Sequence, residues 1–252
     1  TAGILAIFLG SLFLILQIPD FQTYIVSKVT GRISREFKST IQVGRVEFEF
    51  FNKLVINDLL IKDQNNDTLI YTAKVTAGIR SMNRKNSSLH LGKVFLTKPV
   101  VALITDSTGM LNLNWYLEKL KGTPDSLNDK TSEISADRIE LQDAKFSLID
   151  RRSVDRKDGV DFKNLNLSSL NGTIESLNIR DDTTILNAYN LTFNDISGFR
   201  VTKINTGIKI TRGQLLFSDA FINCDSSILN IPELALRGDS SGSFGDFINK
   251  VR

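Results

Sequence analysis

The spacing of apolar positions changes twice along the chain, and each change predicts a different kind of element. From Ala2 to Ile18 (AGILAIFLGSLFLILQI) there is no charge, and only Ser11 and Gln17 are polar. Ile4, Leu5, Ile7, Phe8, Leu9, Leu12, Phe13, Leu14, Ile15 and Leu16 leave no polar stripe, so a helix here must be buried on every side. At ~1.5 Å per residue it reaches roughly 25 Å, the short end of what spans a bilayer. Residues 1–19 are therefore expected to form a transmembrane anchor. The alternative is a signal-peptide core, but such cores run about 7–15 residues and end at a small-residue cleavage site. This segment runs instead into Gln17-Ile18-Pro19-Asp20, and because the chain opens on Thr1, further residues are expected upstream.

After Pro19 the apolar residues recur every fourth position, at Phe21, Ile25, Val29, Ile33 and Phe37. That period predicts an amphipathic juxtamembrane helix over 20–39. Lys28, Arg32, Arg35 and Lys38 lie off the stripe. The helix either rests on anionic headgroups or packs as a cap on the first strands.

From Ile41 the period becomes two. Val46, Phe48 and Phe50 alternate with Glu47 and Glu49, and Leu54 and Ile56 follow Asn52-Lys53. Leu59 and Ile61 come after Asn57-Asp58, and a polar turn follows at 63–67. Leu69, Tyr71, Ala73, Val75, Ala77 and Ile79 continue the alternation. Strands with one apolar and one polar face make a sheet with one side to water, and no long helical pattern separates them as a βαβ unit would require.

The chain then repeats itself. Lys93-Val94-Phe95-Leu96 and Val101-Ala102-Leu103-Ile104 align, 45 residues on and without a gap, with Arg138-Ile139-Glu140-Leu141 and Phe146-Ser147-Leu148-Ile149. Ile185-Leu186-Asn187 with Leu191-Thr192-Phe193 recurs 43 residues later as Ile228-Leu229-Asn230 with Leu234-Ala235-Leu236. Periods of this size predict stacked supersecondary units in an elongated all-β body. Leu111 to Lys121 is helical in spacing, with Trp115 as a packing anchor, and a polar linker follows. The expected organisation is thus a first β segment over 40–122, a linker over 123–133, and a second β segment over 134–252. Arg151 to Asp161 reads as a solvated charged loop. Phe244, Phe247, Ile248 and Val251 are spaced as a new helix, so the chain is expected to continue beyond Arg252.

Composition narrows the function classes. A formal charge of +3 on 252 residues, with Lys and Arg scattered, does not make a nucleic-acid surface. His90 is the only histidine and Cys224 the only cysteine, which excludes a histidine metal cluster and an internal disulfide. There is no G-x-S-x-G elbow, no Walker A loop, no dinucleotide fingerprint and no CxxC. The expectation is a protein that is not an enzyme, with no cofactor, no metal, no bound nucleotide and no catalytic residue.

Three stretches carry a family resemblance. The apolar N-terminus with its amphipathic helix leads into Ile41-Gln42-Val43-Gly44-Arg45-Val46. Phe51-Asn52-Lys53-Leu54-Val55-Ile56-Asn57-Asp58-Leu59-Leu60-Ile61-Lys62-Asp63 follows. Together they resemble the start of TamB-type members of the AsmA-like superfamily, in particular the TamB-domain proteins of Bacteroidota-type bacteria. Gly198-Phe199-Arg200-Val201 through Gly213-Gln214-Leu215-Leu216-Phe217, with Cys224-Asp225-Ser226-Ser227-Ile228-Leu229, is similar to a later part of those proteins. Family members are several times longer, so the likeness is to their N-terminal portion.

The resemblance implies an inner-membrane anchor carrying a periplasmic bridge toward the outer membrane of a Gram-negative cell, with a curled sheet forming a groove. The alternation poses the same question by itself, because a long one-sided sheet must either fold into a dry sandwich or leave its apolar face open as a trough. An open trough suits acyl chains, since each buried CH₂ contributes about 0.8 kcal/mol without any hydrogen bond. The expected lining is Val46, Phe48, Phe50, Leu69, Tyr71, Val75, Ile139, Leu141, Ile204, Ile208, Ile210, Leu215 and Phe217. The expected fold is mainly β, an elongated curled antiparallel sheet with one transmembrane helix and short amphipathic helices. Membrane phospholipids are the expected partners. A second implication of the family is an assembly factor working with an outer-membrane BamA- or TamA-like barrel through exposed sheet edges, and a passive envelope tether is the third. Finally, Asp67-Thr68-Leu69, Asp106-Ser107-Thr108, Asp125-Ser126-Leu127 and Asp182-Thr183-Thr184 resemble the O-glycosylation sequon of Bacteroidota-type periplasmic proteins, with Thr68, Ser107, Ser126 and Thr183 as acceptors.

Overall fold

A computed structural model describes residues 31, 39–49, 52–83, 88–113, 133–154, 159–180, 182–211, 213–225 and 227–237 of the chain. The expected anchor, the linker but for Glu133, Trp115, Phe50, Ser126 and the C-terminal helix lie outside the described residues, as does all of the juxtamembrane helix but Gly31 and Ser39. No helix among the described residues is long and apolar enough to cross a membrane.

The protein is mainly β. Its strands are β1 (Ile41–Glu49), β2 (Lys53–Lys62), β3 (Thr68–Asn83), β4 (Ser88–Thr97), β5 (Val100–Thr105), β6 (Glu133–Asp150), β7 (Asn164–Arg180), β8 (Thr183–Asp195), β9 (Arg200–Thr211), β10 (Gln214–Cys224) and β11 (Ser227–Arg237). All eleven belong to one sheet, ordered β1-β2-β3-β4-β6-β7-β8-β9-β10-β11, with β5 beside β3 and β6. The sheet therefore runs through both expected β segments. The substantial contacts between strands are those between hydrogen-bonded neighbours, so no second layer is stacked on the sheet among the described residues.

The sheet departs from the antiparallel expectation at one place, where β6 pairs parallel to β4 and β5. This is where the 45-residue repeat resides. Ser88 faces Glu133 and Thr105 faces Asp150, with the same 45-residue offset along the whole length. A parallel pair needs a long crossover, and residues 106–132 supply it between β5 and β6. The two copies of the repeat are thus side-by-side strands, and like positions share a rung. The 43-residue repeat has no such meaning, because its copies lie on β8 and β11, which β9 and β10 separate.

β4 and β5 behave as one strand broken at Lys98-Pro99, for both lie antiparallel to β3 and parallel to β6 in one register. Pro99 has no N–H to give, but its carbonyl accepts from Lys145 N–H, and Lys98 N–H donates to the Gln142 carbonyl, each at 2.8 Å.

That break belongs to a crease crossing the sheet. Left-handed backbone occurs at Asp58 (φ 53°), Lys98 (51°), Asp143 (52°), Ser169 (51°), Asn190 (51°) and Asp219 (49°), in the middle of the strands rather than at turns. Arg45, Asn57, Lys74, Thr97 and Gln142 form one rung, and Asp58, Lys98 and Asp143 each follow a member of it. The line continues through β7 to β10, where the register slips between Ser168 and Asn171, Ala188 and Leu191, and Ser218 and Phe221. Such bulges bend a strand and increase its local twist, and here they fall in a row across the sheet. Asn57-Asp58, which precedes Leu59 and Ile61 in the sequence pattern, is in the structure a mid-strand bend.

Gly172 sits on the crease with φ 148°. A Cβ there would lie 2.9 Å from Leu191 Cα and 3.1 Å from the Asn190 carbonyl oxygen, so β7 and β8 approach too closely for any other residue.

Candidate functional site

Straight rungs of apolar side chains cross the sheet. The longest runs in register through Phe48, Leu54, Ala77, Val94, Ile139, Ile174, Ala188 and Thr206, one residue from each of β1, β2, β3, β4, β6, β7, β8 and β9. Beside it lies Val46-Ile56-Val75-Leu96-Leu141-Gly172. Ala77, Val94 and Ala136 form a packed cluster with Val75, Leu91, Leu96, Ile139 and Leu177, which places these positions on one face. Small residues occupy its centre, and Ala188 is fully buried at 0 % exposure.

Alternation carries the face into β8 to β11. Thr206, Ile208 and Ile210 lie two apart on β9, so they project together. Leu186, Ile208, Phe217 and Leu234 form one rung, and Thr184, Ile210, Leu215 and Leu236 another.

Most of the expected lining falls on these rungs: Val46, Val75 and Leu141 on one, Phe48 and Ile139 on the next, Ile208 with Phe217, and Ile210 with Leu215. Ile204 lies past the crease, between Leu191 and Ile222. Leu69 and Tyr71 also lie past it on β3, where the buried positions are Leu69, Thr72 and Ala77. Those spacings of three and five break the period of two. Tyr71 faces Leu60 and Val100, and its hydroxyl donates to Asp58 Oδ1 at 3.2 Å. This hydrogen bond, with the nearby Asp58 charge, raises the phenol above its ordinary value.

The expected lining leaves out Leu54, Ile56, Ala77, Val94, Leu96 and Leu186, which the sequence pattern marks as apolar strand positions, and Ile174, Leu177 and Ala188, which it does not. On β7 the reason is visible. Leu165, Leu167, Leu170, Ile174, Leu177 and Ile179 are spaced irregularly because the strand is bulged at Ser169 and Ser176. The signal that finds Leu96 and Val94 is the 45-residue repeat itself, because their partners Leu141 and Ile139 were already selected.

The opposite face is mixed, its rung Glu47-Val55-Thr76-Phe95-Glu140-Thr173-Tyr189 setting charge beside apolar side chains. Arg138 alternates with Ile139 and donates from Nε to Glu140 Oε1 at 2.9 Å and from Nη1 to Glu175 Oε1 at 2.7 Å. Nearby, Asp137 takes a 2.8 Å contact from His90 Nε2 and a 3.4 Å contact from Arg80. The His90 hydrogen bond is the main reason the Asp137 carboxyl sits below the ordinary carboxylate range. These are solvent-facing ion pairs, which contribute little each but keep that face in water.

At the end of the sheet where β1 begins, the turns are led by aspartates. Asp63 Oδ1 accepts from Asn65 and Asp67 N–H, and Asp106 Oδ1 from Thr108 and Met110 N–H. Hydrogen bonds, led by that of the Thr108 hydroxyl, hold the Asp106 carboxyl below its ordinary value. Asn112, 2 % exposed, joins three elements here. It accepts from Ile104 N–H at 3.1 Å and donates to Asp63 Oδ2 at 3.0 Å and to the Ala102 carbonyl at 3.1 Å. Of the three described sequon acceptors, Ser107 is exposed and Thr68 and Thr183 are half-buried.

Among the described residues no three His, Cys, Asp or Glu side chains come together as a metal set. A scan against protein-family models and a search of curated proteins find no match to the chain. The fold and its site define a one-sheet β protein with a continuous apolar face.

Proposed function

We propose that this protein carries phospholipid along its apolar face, as a membrane-anchored bridge of the TamB-like kind, from the inner membrane toward the outer. The observation that supports the reading is the rung from Phe48 to Ala188, apolar on every strand it crosses and continued by Ile208, Phe217, Ile210 and Leu215. Acyl tails need a continuous apolar path with no hydrogen-bonding demand, and the ion pairs around Arg138 keep the other side of the sheet in water.

The test is photo-crosslinking from a benzophenone side chain at Phe217 in the full chain, with mass spectrometry of the adduct. Phospholipid is expected on that position. Phe48→Glu combined with Phe217→Glu, two half-exposed positions, is expected to abolish lipid co-purification while circular dichroism stays unchanged. Normal lipid content in that folded variant would defeat the reading.

A second reading rests on β11, which pairs with β10 and, among the described residues, with nothing on its other side. Ile228, Leu229 and Leu234 are exposed along it. Such an edge suits strand addition by an outer-membrane protein client handed on to a barrel partner. Proline substitutions along β11 would then lower outer-membrane protein levels, and unchanged levels would remove this reading.

A further inference from the structure

The two ends of the sheet differ in burial. On β11 no residue is buried, and Ile228, Leu229 and Leu234 are 62 %, 47 % and 41 % exposed. On β1, Val46 is 0 % exposed, although Phe48 two residues on along the same face is 38 % exposed. Ala188 also reaches 0 %, but its side chain is one methyl group and both β7 and β9 flank it. Val46 is larger and has the surroundings of an edge. β1 ends the strand order, and its substantial contacts among the described strands are with β2 alone. One neighbouring strand covers one side of a valine, so the burial of Val46 calls for a further part of the chain above it.

The segment directly before β1 has the length and the pattern for this. Phe21, Ile25, Val29, Ile33 and Phe37 make one apolar stripe at helical spacing. The chain bends at Ser39, and by Thr40, whose carbonyl accepts from Lys62 N–H at 2.9 Å, it has joined the sheet. β1 has nine residues and spans about 30 Å, and a helix over 21–37 reaches about 25 Å. Turned back at Ser39, such a helix brings Val29 about 15 Å along the strand, and Val46 lies about 16 Å from Ile41. The middle of the stripe is then level with the buried valine.

Gly31 is an independent marker of the same arrangement. It is helical and exposed, and a Cβ placed on it would meet nothing within 4 Å. At about 100° per residue, Gly31 lies roughly 160° round the helix from both Val29 and Ile33. The side away from the stripe is the side open to water. The other face of β1 offers no apolar seat, since Glu47 and Glu49 hold Arg45 and Lys53 there.

We propose that the apolar face of β1 and β2 around Val46 is the docking surface for residues 21–37 of this chain, seated by the stripe from Phe21 to Phe37. The stripe then faces the sheet rather than a lipid surface, and the apolar face is bounded at β1 whatever that face carries. Lys28, Arg32, Arg35 and Lys38 lie off the docked side.

Cysteine variants of the full chain, in a Cys224→Ser background and in vesicles of phosphatidylethanolamine and phosphatidylglycerol, test the contact. Val29→Cys with Phe48→Cys is expected to join through a short bismaleimide, whereas Gly31→Cys with Phe48→Cys is not. Val46→Cys alone should resist a water-soluble maleimide. Adding Val29→Asp and Ile33→Asp should raise its labelling by a factor on the order of ten, with hydrogen exchange in β6 to β9 unchanged. Val46→Cys labelled as fast as the exposed Ile228→Cys overturns the docking, and so does equal crosslinking from positions 29 and 31. A benzophenone at position 29 is expected to capture β1 or β2. Capture of lipid instead would put the stripe on the membrane, and capture of a second chain would give the surface to another copy; either overturns the docking. Crosslinking from position 29 decides the matter even where the double aspartate variant does not fold.

Discussion

Asn171 Oδ1 accepts the backbone N–H of Asp143 from the neighbouring strand at 2.9 Å, and Asn205 does the same for Asn190 at 2.7 Å. In both cases the donating residue is left-handed, so its N–H has swung out of the ladder and a side chain has taken over the missing carbonyl's role. Asn171→Ala and Asn205→Ala should each destabilise the sheet by about 1 kcal/mol, the usual net worth of such a bond. Urea unfolding measures it. Two variants at wild-type stability would mean that the crease is held by packing alone.

Gly172 should tolerate nothing larger. Alanine there must push β8 away from β7 at the crease, with a cost of about 2 kcal/mol or more from overlap and positive φ together. The loss should appear as faster hydrogen exchange in β7 and β8 before it appears elsewhere.

Asn112 ties the crossover to the sheet. Asn112→Ala leaves the Ile104 N–H, the Ala102 carbonyl and one Asp63 oxygen without their partner, and unsatisfied buried groups cost about 1–3 kcal/mol each. Asn112→Asp should cost no less, because it sets a second carboxylate against Asp63. Thermal melts compare the two, and near-native stability in both would show the network to be dispensable.

Asp150 predicts an acid-side loss. Its carboxyl is held below the ordinary range chiefly by the Arg152 side chain, which donates to Oδ1 and Oδ2 at 2.9 Å each. A folded value below the unfolded one, about 3.9, stabilises fully above that pH and is lost as pH falls through the folded value. Asp150→Asn should therefore be less stable than the parent at pH 7, with the gap closing below about pH 4. A gap that stays constant with pH would show that the ion pair contributes no linkage.

Much of the β architecture was readable because alternation is local: each residue's neighbours two away report its face. Val46, Phe48, Val75, Ile139, Ile208, Ile210, Leu215 and Phe217 all project from regular stretches, and their period of two placed them on shared rungs. The 45-residue repeat carried more than expected, since in-register parallel strands keep one offset and so leave it in the sequence.

Tertiary structure alone decided where that period stops. Nothing local distinguishes Asp58, Asp143 or Asn190, bent within a strand, from Asp63 or Asp106, which end one, because the same short polar side chains serve both. The difference lies in whether the neighbouring strand continues past them and offers a partner such as Asn171 or Asn205, and that neighbour is distant in sequence. The sequence by itself determined a mainly β protein whose strands alternate apolar and polar positions. Pairing across strands set the parallel step at β6 and the crease, since each depends on hydrogen bonds between residues that no local pattern connects.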